Sequence, residues 1–451
     1  MGRYKTFFWL FSLVVLILLV FQVAHGAKSA PFVSVWDTRY GNKELASVTL
    51  PLKKGAQYNF TVEWGDGEVG KVEGYDDLRK KHIYQKHGLY TIKIQGRLDQ
   101  LLFEGQEARL QIREIKHWGD IKWKSMDRAF LGCQKLVISS KTPPDLSRVI
   151  SLSRMFQDSN VSIAHVKQWN TENVRDMSFM FSGTNFNSSL NEWDVSNVVN
   201  IEGMFAYNRA FNSRLDKWDV KNVTNMRYLF NRATSFNQSL NDWNTESLLF
   251  LFGAFISARS FNQPLNKWKV GKVRDFGFLF WGAKNFNQPL DKWNVTNAEN
   301  FTGFFGKTNK FNQDLSTWNV KKVSDMTSMF RSAYAFNGDL SGWNVKSLRF
   351  MDFMFMRALK FNSSIESWKT IKVESMESTF KEAETFNQNI SKWNVSMVKS
   401  MQEAFRGASS FNQDLSKWKV GEVRACQLFD EAALKWKRER PQFQDKSCAK
   451  H

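Results

Sequence analysis

Apolar and polar positions repeat along most of this chain in one fixed order. Trp193, Trp218, Trp243, Trp268, Trp293, Trp318, Trp343, Trp368, Trp393 and Trp418 stand at 25-residue intervals, with Trp169 one residue short of the same beat. A second beat is a Phe followed by Asn187, Asn212, Asn237, Asn262, Asn287, Asn312, Asn337, Asn362, Asn387 and Asn412. A third is a column of Phe that includes Phe156, Phe181, Phe205, Phe230 and Phe255. Such a fixed period marks a repeat architecture in which no unit buries its apolar face alone, so that units must stack on their neighbours.

Within the unit from Phe211 to Phe236, the spacing predicts two elements. Leu215, Trp218 and Val220 alternate with Lys217, Asp219 and Lys221, as the inward and outward residues of a short strand do. Val223, Met226, Leu229, Phe230 and Ala233 then follow helical spacing and form one apolar stripe. The expected fold is therefore an α/β solenoid with a short parallel strand and a helix in each 25-residue coil. About eleven coils at roughly 4.8 Å each give a stack on the order of 50 Å. Burying one Trp removes about 150–250 Å² from water, a gross transfer term of roughly 4–6 kcal/mol, so the Trp column reads as structural. The Asn column reads as a buried one, its amides bridging turn backbone from coil to coil.

Before the repeats the period changes to two. Tyr58, Phe60, Val62 and Trp64 alternate with Asn59, Thr61 and Glu63, and Gly65-Asp66-Gly67 then supplies a tight turn. Tyr90, Ile92 and Ile94 form a second alternating run, so residues 31–103 are expected to form a small all-β sandwich. At the extreme N-terminus, Arg3 and Lys5 precede an apolar run from Phe7 to Val23. Residues 1–30 read as a signal peptide or an uncleaved signal anchor that crosses the membrane through residues 7–23. Either reading places the remainder extracellularly or at the cell surface, with the C-terminal part outside. Residues 104–150 are expected to cap the stack, 151–430 to form it, and 431–451 to provide the other cap and a basic tail.

Two resemblances rest on these motifs. Val62-Glu63-Trp64-Gly65-Asp66-Gly67, with His82-Ile83-Tyr84 and Gly88-Leu89-Tyr90-Thr91, resembles the immunoglobulin-like PKD domain. Units such as WDVSNVVNIEGMFAYNRAFNSRLDKW and WNVKKVSDMTSMFRSAYAFNGDLSGW resemble the 25-residue, leucine-rich-like repeats of BspA-like bacterial surface proteins and mycoplasma surface lipoproteins. That resemblance implies a surface location and a role in adhesion or recognition. No cysteine follows the apolar segment, so the lipid anchor of the lipoprotein members is not implied here.

Charge and composition narrow the chemistry. With 63 Lys+Arg against 44 Asp+Glu, the chain carries a formal charge of +19, which favours anionic partners. Export argues against nucleic acid, leaving an extracellular protein or an anionic polysaccharide. Six scattered histidines and recurring but dispersed carboxylates offer no zinc spacing and no acid–base pair, so neither an enzyme nor a metal or cofactor site is expected. Cys426 and Cys448 either close a C-terminal loop in an oxidising compartment or stay as two unpaired thiols. The expected partner-binding surface is a strip of lysines beside the Trp column: Lys217, Lys267, Lys269, Lys292, Lys321, Lys346, Lys369, Lys392, Lys417 and Lys419. A structural coat component without a specific ligand is the alternative.

Overall fold

A computed structural model describes residues 29–41, 44–103 and 105–444. The apolar run expected to direct export, residues 7–23, and Cys448 lie outside the described residues. Among the described residues no helix is long and apolar enough to cross a membrane.

The N-terminal module is built from antiparallel strands. Strand β1 (Phe32–Asp37) lies between β6 (Leu89–Leu98) and β7 (Ile112–His117), and β6 continues to β3 (Tyr58–Glu63) and β4 (Val69–Val72). Strands β2 (Ser47–Thr49) and β5 (Lys81–Ile83) form a second, two-stranded sheet. The alternation read in the sequence holds: Tyr58, Phe60 and Val62 are buried while Asn59, Thr61 and Glu63 are exposed. The Gly65-Asp66-Gly67 turn holds φ values of +89° and +103° at its glycines, and a Cβ on Gly65 would stand 2.6 Å from the Thr91 carbonyl oxygen. Asp66 accepts a hydrogen bond from the Glu68 amide and lies 2.7 Å from His82 Nε2. Burial opposes its ionisation, but these hydrogen bonds hold its carboxyl below the ordinary carboxylate range.

The module and the repeats share one sheet. Strand β7 pairs in parallel with β8 (Val137–Ile138), and β8 pairs with β9 (Ser162–Ile163). The boundary expected at residue 103 therefore crosses hydrogen-bonded structure, and a single buried core runs from Phe32 to Trp436.

Beyond β9 the α/β expectation is overturned. The one α-helix among the described residues is α1 (Gln106–Gln111), outside the repeats, and the repeat region past residue 168 has neither a helix nor a named strand. Each coil is a chain of turns joined to its neighbour by parallel single bridges. One series runs Ser151, Asp176, Asn200, Asn225, Phe250; a second runs from Asp275 to Ala425. The stretch expected to be helical shows why. The amides of Met226, Tyr228, Phe230 and Arg232 donate to the carbonyls of Phe250, Phe252, Ala254 and Ile256 in the next coil, at 2.9, 3.0, 2.8 and 2.6 Å. The amides between them close local turns, Leu229 to Met226, Asn231 to Tyr228 and Ala233 to Phe230. Tyr228 and Arg232 sit at φ values of 55° and 59°, so the left-handed conformation recurs four residues apart and no helix can propagate. A turn every four residues returns Met226, Leu229, Phe230 and Ala233 to one side, as a helix would, and all four are buried.

The expected strand fails in the same way. Leu215, Trp218 and Val220 are buried, with Lys217, Asp219 and Lys221 exposed, but the Trp218 and Val223 amides close turns onto the Leu215 and Val220 carbonyls.

Aromatic columns fill the interior. Trp218, Trp243 and Trp268 stack with centroids 6.2 Å apart, and each indole Nε1 donates to a carbonyl 28 residues earlier, as Trp293 does to Leu265 at 2.8 Å. Phe286 and Phe311 stack at 6.0 Å in a parallel column. At the stack's ends Trp118, Trp123 and Trp436 are buried without a partner for Nε1.

The turn geometry and the Trp column each yield a prediction. Ser257 holds φ 52° in the left-handed region. Ser257→Gly should raise stability by about 0.5–1 kcal/mol in urea unfolding, whereas a helix at that position would lose about 0.5 kcal/mol. Trp293→Ala should destabilise by roughly 3–5 kcal/mol. Trp293→Phe retains the stacking but removes the indole donor, leaving the Leu265 carbonyl with the Trp268 amide alone; it should destabilise less than the alanine variant in the same titration.

Candidate functional site

With core residues committed to packing, functional chemistry falls to the exposed faces of the stack. All ten columnar tryptophans, Trp193 to Trp418, are buried, which matches their structural reading. The Asn column bridges coils as expected: Oδ1 of Asn187 accepts from the Asn212 amide at 2.8 Å, and the ladder continues through Asn237, Asn262, Asn287, Asn312, Asn337, Asn362 and Asn387 to Asn412. There Oδ1 of Asn412 accepts from the Lys437 and Arg438 amides, so the last side chain is taken up by the C-terminal cap. The column is not buried, however. Asn187 and Asn362 are exposed and Asn237 is half-buried, because the amides bridge coils along the outer edge of the stack.

The lysine strip is exposed throughout but divides electrostatically. Lys217, Lys267 and Lys269 reach back to Glu192, Asp242 and Glu246 of the preceding coil at 2.6, 2.7 and 3.4 Å. Lys292 pairs with Asp291 at 3.3 Å and Lys392 with Glu366 at 2.9 Å. Lys321, Lys346, Lys369, Lys417 and Lys419 form no ion pair among the described residues. Exposed pairs of this kind contribute little to stability, about 0–1 kcal/mol each, but they cancel charge locally. The strip's free positive charge is therefore concentrated on coils after residue 318.

A second face was not legible from the repeat beats. It carries the left-handed turn residues, and its side chains vary from coil to coil. Single rings stand on it at Phe179, Phe350 and Phe353, and between Tyr207 and Lys307 the aromatic residues run from coil to coil. Tyr207 and Phe250 are 48% and 42% exposed, and the rings of Tyr228, Phe252, Phe278 and Trp281 form a chain with centroids 5.4, 5.7 and 5.4 Å apart. Arg227 stands over Phe250 at 4.6 Å, Arg232 over Tyr207 at 5.2 Å and Lys307 over Trp281 at 4.9 Å. Glycines in adjoining coils make room for these rings. A Cβ at Gly277, Gly303 or Gly306 would meet Phe252, Phe278 or Trp281 at 2.6, 2.6 and 2.2 Å.

At its N-terminal end this face meets the β module in a cleft of about 570 Å³ lined by Lys53, Lys54, Lys124, Asp99, Asp127 and Asp176. Burial raises the Asp127 carboxyl above its ordinary range. Among the described residues no group of three or more His, Cys, Asp or Glu is placed to hold a metal ion. Cys133 is a free thiol buried in the core, and burial pushes its pKa well above the usual thiol range. Cys426 is disulfide-bonded.

No curated protein and no solved structure matches this chain. A family model described as "Mycoplasma protein of unknown function, DUF285" matches in overlapping segments, at residues 101–183, 124–228, 150–250, 200–310, 249–366, 297–390 and 341–443. These segments cover the repeat stack and its caps, including Trp118, the Trp column and Trp436. The chain belongs to the DUF285 family of repeat proteins.

Proposed function

We propose that the protein is an exported surface protein of the recognition or adhesion type, in which the repeat stack carries a binding face outward and residues 1–30 direct export. The observation that carries this reading is the segregation of charge along the lysine strip. Lys321, Lys346, Lys369, Lys417 and Lys419 stand unpaired on a rigid scaffold, whereas the earlier lysines are neutralised by carboxylates of their own or neighbouring coils. A strip kept only for solubility gains nothing from that division. Uncompensated charges at coil spacing attract an extended anionic partner, either an acidic polysaccharide or an acidic protein surface. Under this reading the β module, with its PKD-like turn and strands, spaces or orients the stack.

The repeats favour binding over catalysis. Their buried groups are spent on columns that every coil shares, and their recurring carboxylates occupy equivalent turn positions. Asp194, for example, accepts from the Ser196 amide at 2.9 Å, and hydrogen bonding by the Ser196 side chain, then by its amide, holds the carboxyl below the ordinary range.

Binding to heparin as a model polyanion tests the strip. Affinity should fall steeply with salt, because the charges engaged are exposed and screened over about 10 Å at about 0.1 M salt. Changing Lys321, Lys346, Lys369, Lys417 and Lys419 together to Glu should abolish retention on immobilised heparin while the unfolding midpoint stays close to that of the parent. Changing the ion-paired Lys267, Lys292 and Lys392 should weaken retention far less. Equal losses from the two sets would mean that the division of charge has no functional meaning, and the structural coat reading would then be preferred.

A further inference from the structure

The aromatic stretch of the turn face is a second surface, independent of the lysine strip. Apolar side chains of this size are ordinarily withdrawn from water, and contiguous exposed patches mark interaction sites. This patch is also built rather than incidental. Gly277, Gly303 and Gly306 stand where any side chain would collide with the rings of Phe252, Phe278 and Trp281. Coils before and after it carry Ser153, Ser178, Thr327 or Glu377 where the patch carries Phe252.

The backbone changes at the same place. At the other junctions along this column from Ile150 to Arg424, the amide of one coil donates to the carbonyl of the coil before, as Arg175 does to Ile150, Leu249 to Thr224 and Glu299 to Arg274. No such bond joins Arg274 to Leu249, and the bridge between Phe250 and Asp275 is likewise missing from the series. The Arg274 amide and the Leu249 carbonyl, on exposed residues beside Phe250, thereby lack the coil-to-coil partner that their counterparts have.

Shape and charge select the occupant. From Tyr207 to Lys307 the patch spans four coil intervals, about 20 Å, and follows the stack axis, which suits an extended chain. An extended peptide binds chiefly through its main chain, yet this face spends its backbone on coil-to-coil bonds and opens a single rung. A sugar chain needs ring faces for its C–H surfaces, with forked cations and polar side chains for its substituents. Arg227, Arg232 and Lys307 supply the cations, against Glu202 and Asp275 on the same stretch, while Arg274 pairs with Glu299 at 3.4 Å. Three cations to two carboxylates is a slight positive excess. It favours a sparsely charged polymer over a densely sulfated one. Arginine forks match carboxylates two bonds at a time. We propose that the turn face between Tyr207 and Lys307 binds a linear uronic-acid polysaccharide, with pyranose rings on its aromatic side chains and carboxylates on Arg227 and Arg232.

Trp281 gives a direct readout. It is the one tryptophan among the described residues that is not buried, so iodide should quench its emission selectively in the full chain. A hyaluronan oligosaccharide should protect Trp281 from iodide, and Trp281→Phe should remove the iodide-sensitive component. Tyr207→Ala with Phe250→Ala, both at exposed positions, and separately Arg227→Gln with Arg232→Gln, should each weaken hyaluronan binding by about tenfold or more. Both pairs should leave heparin retention on the lysine strip intact, and the five-lysine Glu variant should lose heparin while keeping hyaluronan. The proposal is overturned if hyaluronan fails to protect Trp281, if neutral dextran protects it equally, or if folded patch variants bind hyaluronan as the parent does. It is also overturned if the five-lysine variant loses hyaluronan together with heparin, which would assign all glycan binding to the strip.

Discussion

The structure depends on backbone hydrogen bonds that leave each coil. In a helix every amide finds its acceptor four residues back, within the same element. Here half of the amides in the turn segment donate to the next coil, as Phe230 does to Ala254, and those between them close local turns. A coil taken alone would leave these alternate donors without partners near its apolar side, where an unpaired amide costs about 1–3 kcal/mol. Stacking is therefore a condition of folding for each unit. The aromatic columns are its other half: they place Trp on Trp and Phe on Phe at the coil spacing, and the indole Nε1 gives a second hydrogen bond to a carbonyl of the preceding coil that already closes a local turn. At the ends, Trp118, Trp123 and Trp436 show what the interior avoids, a buried Nε1 with nothing to accept it.

The same constraint divides the surface by role. Columns facing inward or bridging coils must repeat, because each residue's partner is its own counterpart one coil away. The Asn ladder is the clearest case on the outer edge, Oδ1 of one Asn accepting from the amide of the next. Positions that bond to nothing in the next coil are free to vary. The lysine strip varies in whether its charge is cancelled, and the turn face varies from serine and glutamate to a run of aromatic rings. Specificity in such a protein belongs on the varying positions, displayed on a scaffold that the repeating ones hold rigid.

Much of this was legible in the sequence, and the failures have physical causes. The three aromatic beats gave the coil period, the buried columns and the stacking, because identical residues must meet across a fixed repeat. The antiparallel module was legible through the alternation of Tyr58, Phe60 and Val62. The helix was misread because turns closing every four residues return side chains to one face at nearly helical spacing. Gly203, Gly253 and Gly303 carried a contrary signal. They share a position with Tyr228 and Phe278, and all five hold positive φ. A glycine recurring in mid-helix costs about 1 kcal/mol against alanine, so its recurrence pointed to left-handed turns. The Asn column was read correctly in its bonding and wrongly in its burial, since an amide can bridge coils at the edge as well as inside. The aromatic patch leaves no mark on the repeat pattern, because Tyr207, Phe250 and Trp281 keep no beat.

The central claim is that alternate amides of the turn segment are bonded across coils. Scalar couplings through hydrogen bonds, measured by nuclear magnetic resonance on deuterated, isotope-labelled protein, read those partners directly. The Phe230 amide nitrogen should couple to the Ala254 carbonyl carbon, and the Tyr228 amide to the Phe252 carbonyl. Coupling of Phe230 to the carbonyl of Met226, four residues back, would contradict the account and restore a helix to each repeat.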